Sequence, residues 1–303
     1  MSRSLGIDIG GTKLLATVLE ADGTISHSKR YATGRTFGPT DCVRTIDLAM
    51  REAKAEAGNI AGIGIGFPGL VNPYSGAVRS SVILDGWNNV PLTNLVSAAA
   101  GVPCAIDNDV NNAARAEVSE RGSAADSFFF VAIGTGIGGA VVLNGSIWSG
   151  VSGLAGEFGH VCIDRAGDLC NCGRRGCVGP YAGGEGIESR LGIQPGTLSD
   201  FIKSEPGKAQ DALSDAGAAL GSAIASVLNV MNVGLVVLGG GLATLDAYRS
   251  NVEATARREA FEEIQIDCRF ELAATGYEAG VIGAALLGQE AAARRQSRNR
   301  VAA

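Results

Sequence analysis

Asp107-Asn108-Asp109 sets two carboxyl groups around an amide, just ahead of an alanine-rich stretch from Asn111 to Glu120. A carboxylate held at a strand end can accept the proton of an attacking hydroxyl. Phosphoryl transfer to an alcohol asks this of a side chain, beside in-line positioning and charge neutralisation. The plainer use of such a triplet is to cap the following helix, although two acids and an amide exceed what one cap requires. A second constellation is Glu157-Phe158-Gly159-His160 followed by Cys170, Cys172 and Cys177. One imidazole and three thiols form the closed tetrahedral donor set of structural zinc, with no sign of an open coordination position; unbound reduced thiols are the alternative.

A third set is made of glycine. Gly10-Gly11-Thr12, Gly134-Thr135-Gly136-Ile137-Gly138-Gly139 and Gly239-Gly240-Gly241 each follow an apolar run. Without a Cβ, backbone amides can approach an anion, and successive N–H groups at such turns cradle phosphate. One glycine turn is ordinarily only a turn, but three at strand ends fit a triphosphate held between two lobes. None is a Gly-x-x-x-x-Gly-Lys-[Ser/Thr] loop.

The elements that must carry these groups follow from the apolar pattern. Leu5 to Ile9 and Leu14 to Leu19 flank the first turn as a hairpin, which ends at Ala21-Asp22-Gly23. From Phe128 the pattern returns: Phe128 to Ile133, the second turn, Ala140 to Leu143, then Asn144-Gly145, a dipeptide favoured in two-residue hairpins. Ile60 to Phe67 alternates glycine with apolar residues as a buried strand can, and Val102 to Ile106 reads as another. Leu213, Ala216, Leu220, Ile224, Val227, Leu228 and Met231 recur at helical spacing before a strand at Leu235 to Leu238, and Ala279 to Ala293 reads as a closing helix. Strands alternating with helices predict an α/β protein. The repeated beginnings predict two lobes: residues 1–118 with a returning C-terminal helix at about 286–303, and a larger lobe over 119–285 that carries the zinc motif, hinged near residue 120.

The chain has 303 residues, 46% hydrophobic and 18% charged, enough for a large core. Its net charge is −6, and its only basic cluster, Arg294, Arg295, Arg298 and Arg300, reads as a solvated end. Such a balance offers nothing to a nucleic-acid backbone. No basic segment leads into an apolar one at the N-terminus, and glycines break the apolar tract from Phe128 to Leu143. A soluble, cytoplasmic protein without a membrane partner is expected. Seven cysteines, three of them crowded, suit a metal site better than a disulfide framework. Cys42, Cys104 and Cys268 are expected to fill core space, and His27 is expected to be solvated in a turn.

Asp8-Ile9-Gly10-Gly11-Thr12-Lys13 resembles the first phosphate motif of the ROK (repressor, open reading frame, kinase) family, here glucokinase-like, within the actin-like and hexokinase-like superfamily. The likeness runs from residue 5 to about 288. It implies a two-lobed ATPase fold of duplicated ribonuclease H-like domains with ATP in the cleft. Asp8, otherwise a turn carboxylate, would sit near Mg2+. Gly10, Gly11, Thr12, Lys13, Gly134, Thr135, Gly136, Gly138 and Gly139 would hold phosphate, and Gly239, Gly240 and Gly241 adenosine. The segment at Asn108-Asp109 is similar to the family's Asn-Asp-x-Asn signature, which makes Asp109 the base and Asn108 a sugar-binding amide and leaves Asp107 structural. The cysteine stretch resembles the family's zinc motif, in which Glu157 and His160 also meet ring hydroxyls. Gly66-Phe67-Pro68-Gly69 resembles the sugar-side loop, with Gly69 admitting the ring or marking an ordinary strand exit. The implied activity is ATP-dependent phosphorylation of a hexose hydroxyl, C6 by resemblance, in a homodimer or homotetramer. Repressors of the family carry a helix-turn-helix ahead of this region, whereas the first motif here begins at residue 5, so no nucleic-acid partner is expected. A non-catalytic sugar sensor is the rival from another class.

Two positions depart from the family pattern. Gly179 stands where sugar kinases of the family carry a Glu after the last zinc cysteine, and Ile83 stands where an Asn approaches the sugar. A sugar hydroxyl left without a partner costs about 1–3 kcal/mol, so either Glu185 compensates or the substrate is a modified hexose. An amino sugar such as kanosamine, or an N-acylated hexosamine, suits the retained Glu157; glucose stays open.

Overall fold

The apolar runs become strands, and glycines decide what lies against them. The computed structural model describes residues 2–122 and 126–302; the side chain of Arg300, in the basic tail, lies outside that description. Two compact units emerge, Met1–Arg121 with Ser149–Ala155 and Thr275–Ala303, and Gly122–Trp148 with Gly156–Ala274.

In the first unit β1 (Ser4–Ile9) and β2 (Lys13–Leu19) form the expected hairpin around Gly10-Gly11-Thr12. A strand not anticipated, β3 (Ile25–Ala32), extends it. There His27 is buried, its Nδ1 2.7 Å from Glu56 Oε2. The expectation of a solvated turn histidine is thus corrected: strand alternation turns this ring inward while its neighbours face water. Glu56 lies on α1 (Pro39–Ala57), which packs on the sheet through Cys42, Ile46, Met50 and Ala53. β4 (Gly62–Phe67) follows; a small sheet of β5 (Leu70–Asn72), β6 (Ala77–Ser80) and β7 (Asn88–Val90) leads to α2 (Leu92–Ala100), β8 (Cys104–Asn108) and α3 (Asp109–Arg121). The main sheet has the order β3-β2-β1-β4-β8, with β1, β4 and β8 parallel.

The second unit repeats this plan. β9 (Phe128–Ile133) and β10 (Ile137–Leu143) pair antiparallel, and β10 turns to β11 (Ser146–Ile147) through Asn144-Gly145. Both turn residues have positive φ, as a type I′ hairpin requires. Helices α4 (Val178–Ala182), α5 (Gly184–Leu191), α6 (Leu198–Ser204) and α7 (Pro206–Met231) precede β12 (Leu235–Gly239). Then α8 (Asp246–Glu259) and α9 (Glu262–Asp267) lead to β13 (Arg269–Leu272). The sheet order β11-β10-β9-β12-β13 matches the first sheet, hairpin for hairpin and parallel strand for parallel strand. Among the described residues α7 is the one helix long and apolar enough to cross a membrane. Its Gly217 and Gly221 instead bring it against α8, where an added Cβ would stand 2.3 Å from Tyr248 O and 2.6 Å from Val252 O.

The last helix, α10 (Ala279–Ala302), belongs to the first unit. The glycine alternation of β4 now has a cause. Ile63, Ile65 and Phe67 face the core, while Gly62 and Gly64 face α10. A Cβ at Gly64 would stand 1.8 Å from Ala284 O and one at Gly6 2.2 Å from Val281 O, so this helix rests on strand backbone directly.

Candidate functional site

Parallel strands place residues of equal register in a row, and ligands of α/β proteins gather at their carboxyl ends. In the first unit Asp8 pairs in register with Gly66, and Gly66 with Asp107. Gly10 N donates to Lys13 O at 2.8 Å to close the glycine turn, and Thr33 Oγ1 donates to Gly10 O at 2.8 Å to tie it to β3. Lys13 Nζ donates to the Tyr277 hydroxyl and lies 4.7 Å from the centre of that ring. Ile83 leans on the same turn, its Cγ2 3.0 Å from where a Gly11 Cβ would be.

Removal from water raises the Asp8 carboxyl from 3.8 to about 6, with Lys13 pulling the other way. A folded state that holds this proton more tightly than the unfolded chain is favoured below about pH 4, and the advantage is lost as pH rises through about 6. Asp8→Asn is therefore expected to flatten the pH dependence of stability across that window, worth up to about 3 kcal/mol for a two-unit shift. Urea melts at a series of pH values measure it, and an unchanged slope would remove Asp8 as its source.

Asn108, not Asp109, caps α3. Its Oδ1 accepts Val110 N at 2.8 Å and its Nδ2 donates to Gly69 O at 3.3 Å. Gly69 must be glycine, because a Cβ would stand 2.5 Å from Ser80 O. Asp109 is the first residue of α3, with its Oδ1 3.0 Å from Val110 N. Asp107 is buried in the protein. Its Oδ1 accepts Asn111 Nδ2 at 2.8 Å and Asn108 N at 2.9 Å, and its Oδ2 faces Arg115 Nη2 at 3.3 Å. Burial pushes its carboxyl up against the pull of Arg115. Asn111 is the last residue of the Asn-Asp-x-Asn stretch and is spent on Asp107, whereas Arg115 belongs to no motif, since its partners lie two helical turns back and at Glu290 on α10.

In the second unit the second and third glycine turns meet at one cavity of about 430 Å3. Gly134, Thr135 and Gly241 line it with Glu185 and Glu188, and Pro195, Leu198, Ile202, Leu242 and Leu245 give it apolar walls. The motif glycines divide by task. Gly134, Gly136 and Gly241 have open space where a Cβ would be. Gly138 and Gly139 lie within β10; the Gly139 amide donates to Gly156 O at 3.2 Å, and its missing Cβ makes room for Phe158. Gly239 makes room for Phe130, and Gly240, at φ +90°, lies against Ile133 O. The 195–202 wall was not legible in sequence, because its Pro195-Gly196 turn follows no apolar strand and it belongs to the site only through the fold of α5 and α6.

Glu157 and His160 flank one turn of 3-10 helix fixed on β10: a Cβ at Gly159 would stand 2.2 Å from Ile137 O, and Phe158 meets Phe129 edge-on at 4.9 Å. His160 Nδ1 is 3.5 Å from Cys170 Sγ, and Cys172 Sγ is 3.6 Å from Cys177 Sγ. All four donor atoms lie within 4.8 Å of one another. Tetrahedral zinc with bonds of about 2.3 Å to sulfur needs donor separations of about 3.8 Å, so the residues fit the ion. Hydrogen bonds from Arg174, its backbone first, lower the Cys172 thiol while burial raises its neighbour Cys177, so without an ion the pair favours a thiolate on Cys172 alone. Gly176, at φ +71° with Asp164 O where a Cβ would be, keeps the loop tight. Cys162, exposed beside this loop with its Sγ 3.5 Å from Arg175 O, stands outside the donor set.

A family model described as the ROK family matches residues 4–291. A glucokinase of Halalkalibacterium halodurans is 30% identical over 92% of either chain. An N-acetylmannosamine kinase of Yersinia pseudotuberculosis is 29% identical over 85% of this chain and 89% of its own. Among solved structures, a ROK hexokinase from Thermus thermophilus matches with a TM-score of 0.81 at 29% identity, over 95% of this chain and 98% of that one. A ROK family glucokinase from Streptomyces griseus, in complex with glucose and AMPPNP, matches with a TM-score of 0.82 at 26% identity, over 95% and 100%. These likenesses identify the two repeated sheets as an actin-like ATPase fold.

Proposed function

Because the chain belongs to the ROK family, we propose that it is a sugar kinase that moves the γ-phosphoryl group of ATP to a hexose hydroxyl, with Asp109 as general base. The observation that carries this reading is the row at the carboxyl ends of β1, β4 and β8. There Asp8, the Gly10–Lys13 turn, Gly69, Asn108 and Asp109 gather on one sheet edge. Asp109 takes the hydroxyl proton as the bond to phosphorus forms, and Asn108, held by Gly69 O and the start of α3, orients the sugar. Lys13 and the amides of Gly10, Gly11 and Thr12 meet phosphate oxygens, and the cavity bounded by Gly134, Thr135 and Gly241 seats the nucleotide. When bound, Mg2+ beside Asp8 neutralises phosphate charge, and Zn2+ on His160, Cys170, Cys172 and Cys177 stiffens the loop. His160 turns Nδ1 toward the cysteines, so its other ring nitrogen and Glu157 are the groups that address ring hydroxyls. A cytoplasmic homo-oligomer is part of the same reading.

The substrate is a modified hexose rather than glucose. Gly179 lies in α4, where a Cβ would stand 3.1 Å from Gly159 O, so a side chain there needs that carbonyl to give by a few tenths of an ångström. Whatever the packing, the change from the family's Glu removes a carboxylate from this position. Ile83 likewise presents a hydrocarbon side chain, 45% exposed, beside the first phosphate turn. Both changes remove polar partners for hydroxyls, and the similar N-acetylmannosamine kinase supports an N-substituted sugar. ADP release should be measured with glucose, mannose, N-acetylglucosamine, N-acetylmannosamine, allose and kanosamine. Turnover of an amino or N-acyl hexose at least about tenfold above glucose is expected, as one unpaired hydroxyl costs about 1–3 kcal/mol. Glucose as the best substrate would mean that the pocket compensates, and no turnover of any sugar would favour the sensor.

A further inference from the structure

The cavity of the second unit holds two acids, and only one is committed to its wall. Glu188 is buried, and its Oε1 accepts Leu198 N at 2.9 Å, which braces α6 on α5. Glu185 lines the same cavity on the same helix, is exposed, and its carboxylate has no hydrogen bond or ion pair among the described residues. An ionised carboxylate accepts hydrogen bonds and offers none, so the group that suits it is a donor, a hydroxyl or an amine. Position narrows the choice. Glu185 N donates to Thr135 O at 3.0 Å and Gly184 N to Gly134 O at 2.9 Å, so this residue sits against the glycine turn, while Pro195, Leu198, Ile202, Leu242 and Leu245 supply apolar wall. In a nucleotide the ribose separates phosphate from base. A carboxylate beside the phosphate turn therefore meets ribose hydroxyls, and the apolar wall is left for the base.

We propose that Glu185 sets donor specificity by accepting hydrogen bonds from the ribose hydroxyls of a nucleoside triphosphate. The assignment rests on the reading of this cavity as the ATP seat. It is tested by calorimetric titration of the wild type, Glu185→Gln and Glu185→Ala with the magnesium complexes of ATP, 2′,3′-dideoxy-ATP and inosine triphosphate. The wild type is expected to bind ATP about tenfold or more tighter than the dideoxy analogue, as the loss of a hydrogen bond to a charged group predicts. Glu185→Ala should erase that ratio, Glu185→Gln should reduce it, and both should keep the ratio of ATP to inosine triphosphate. A ribose ratio that survives in Glu185→Ala, or a change in the inosine ratio instead, overturns the assignment while the ATP seat stands. A wild type that binds no nucleotide overturns the seat itself, and the assignment with it.

Discussion

Asp109→Asn is expected to lower kcat by about two to four orders of magnitude while KM for the sugar moves only a few-fold and the protein stays folded. The amide has the size of the carboxylate and keeps an Oδ1 that can accept Val110 N, now at 3.0 Å. What it loses is basicity, which matters only as the hydroxyl proton departs. The cost to the fold is small because the cap of α3 is Asn108 Oδ1; a lost negative charge in a first helical turn is worth about 0.3–1 kcal/mol. Asp107 is a poor substitute base, since Asn111, the Asn108 amide and Arg115 already engage its oxygens. Steady-state kinetics on the best sugar of the panel, beside thermal melts of both proteins, separate these effects. A variant within about tenfold of wild-type kcat would take Asp109 out of the role, because general-base catalysis contributes at least about a hundredfold.

Local patterns carried much of the fold. The two hairpins around glycine turns, the Asn144-Gly145 reversal and the helical spacing of α7 each depend on residues within a few positions of one another, and the structure has them where the spacing put them. The His160, Cys170, Cys172 and Cys177 donors were legible for the same reason. What escaped depends on distant partners. β3 reads as a polar stretch because its exposed residues outnumber its buried ones, and only α1 gives His27 a reason to turn inward. The three- and four-residue strands β5 to β7 are too short to show a period. The glycines of the second and third motifs look alike in sequence, yet Phe158, Phe130 and Ile133 O decide which of them are packing glycines. Tyr277, which holds Lys13, arrives from 264 residues downstream, beyond the reach of any local pattern.

Zinc removal is the second large effect. Cys177→Ser is expected to purify with well under one zinc per chain, to lose about 3 kcal/mol or more of stability, as loss of a structural metal does, and to lose most of its sugar phosphorylation. Cys177 is fully buried and forms one edge of the donor set with Cys172, so its loss leaves His160 and two thiols without closure. The loop has little else to hold it: from Cys162 to Cys177 only Cys170, Gly176 and Cys177 are buried, and its bonds are mostly short-range, such as Cys170 N to Arg174 O at 2.8 Å and Gly176 N to Asp168 O at 2.8 Å. On the proposed reading the same metal would fix the ring of His160 one turn after Glu157, so its loss should raise KM for the sugar more than KM for ATP, whose proposed cavity is built by other residues. Cys162→Ser is the control, since that thiol lies on the same loop but outside the donor set. Metal analysis, melting curves and the two KM values read all of this. A Cys177→Ser protein that keeps stoichiometric zinc, or one that loses zinc with both KM values unchanged, would sever the link between the metal and the sugar site.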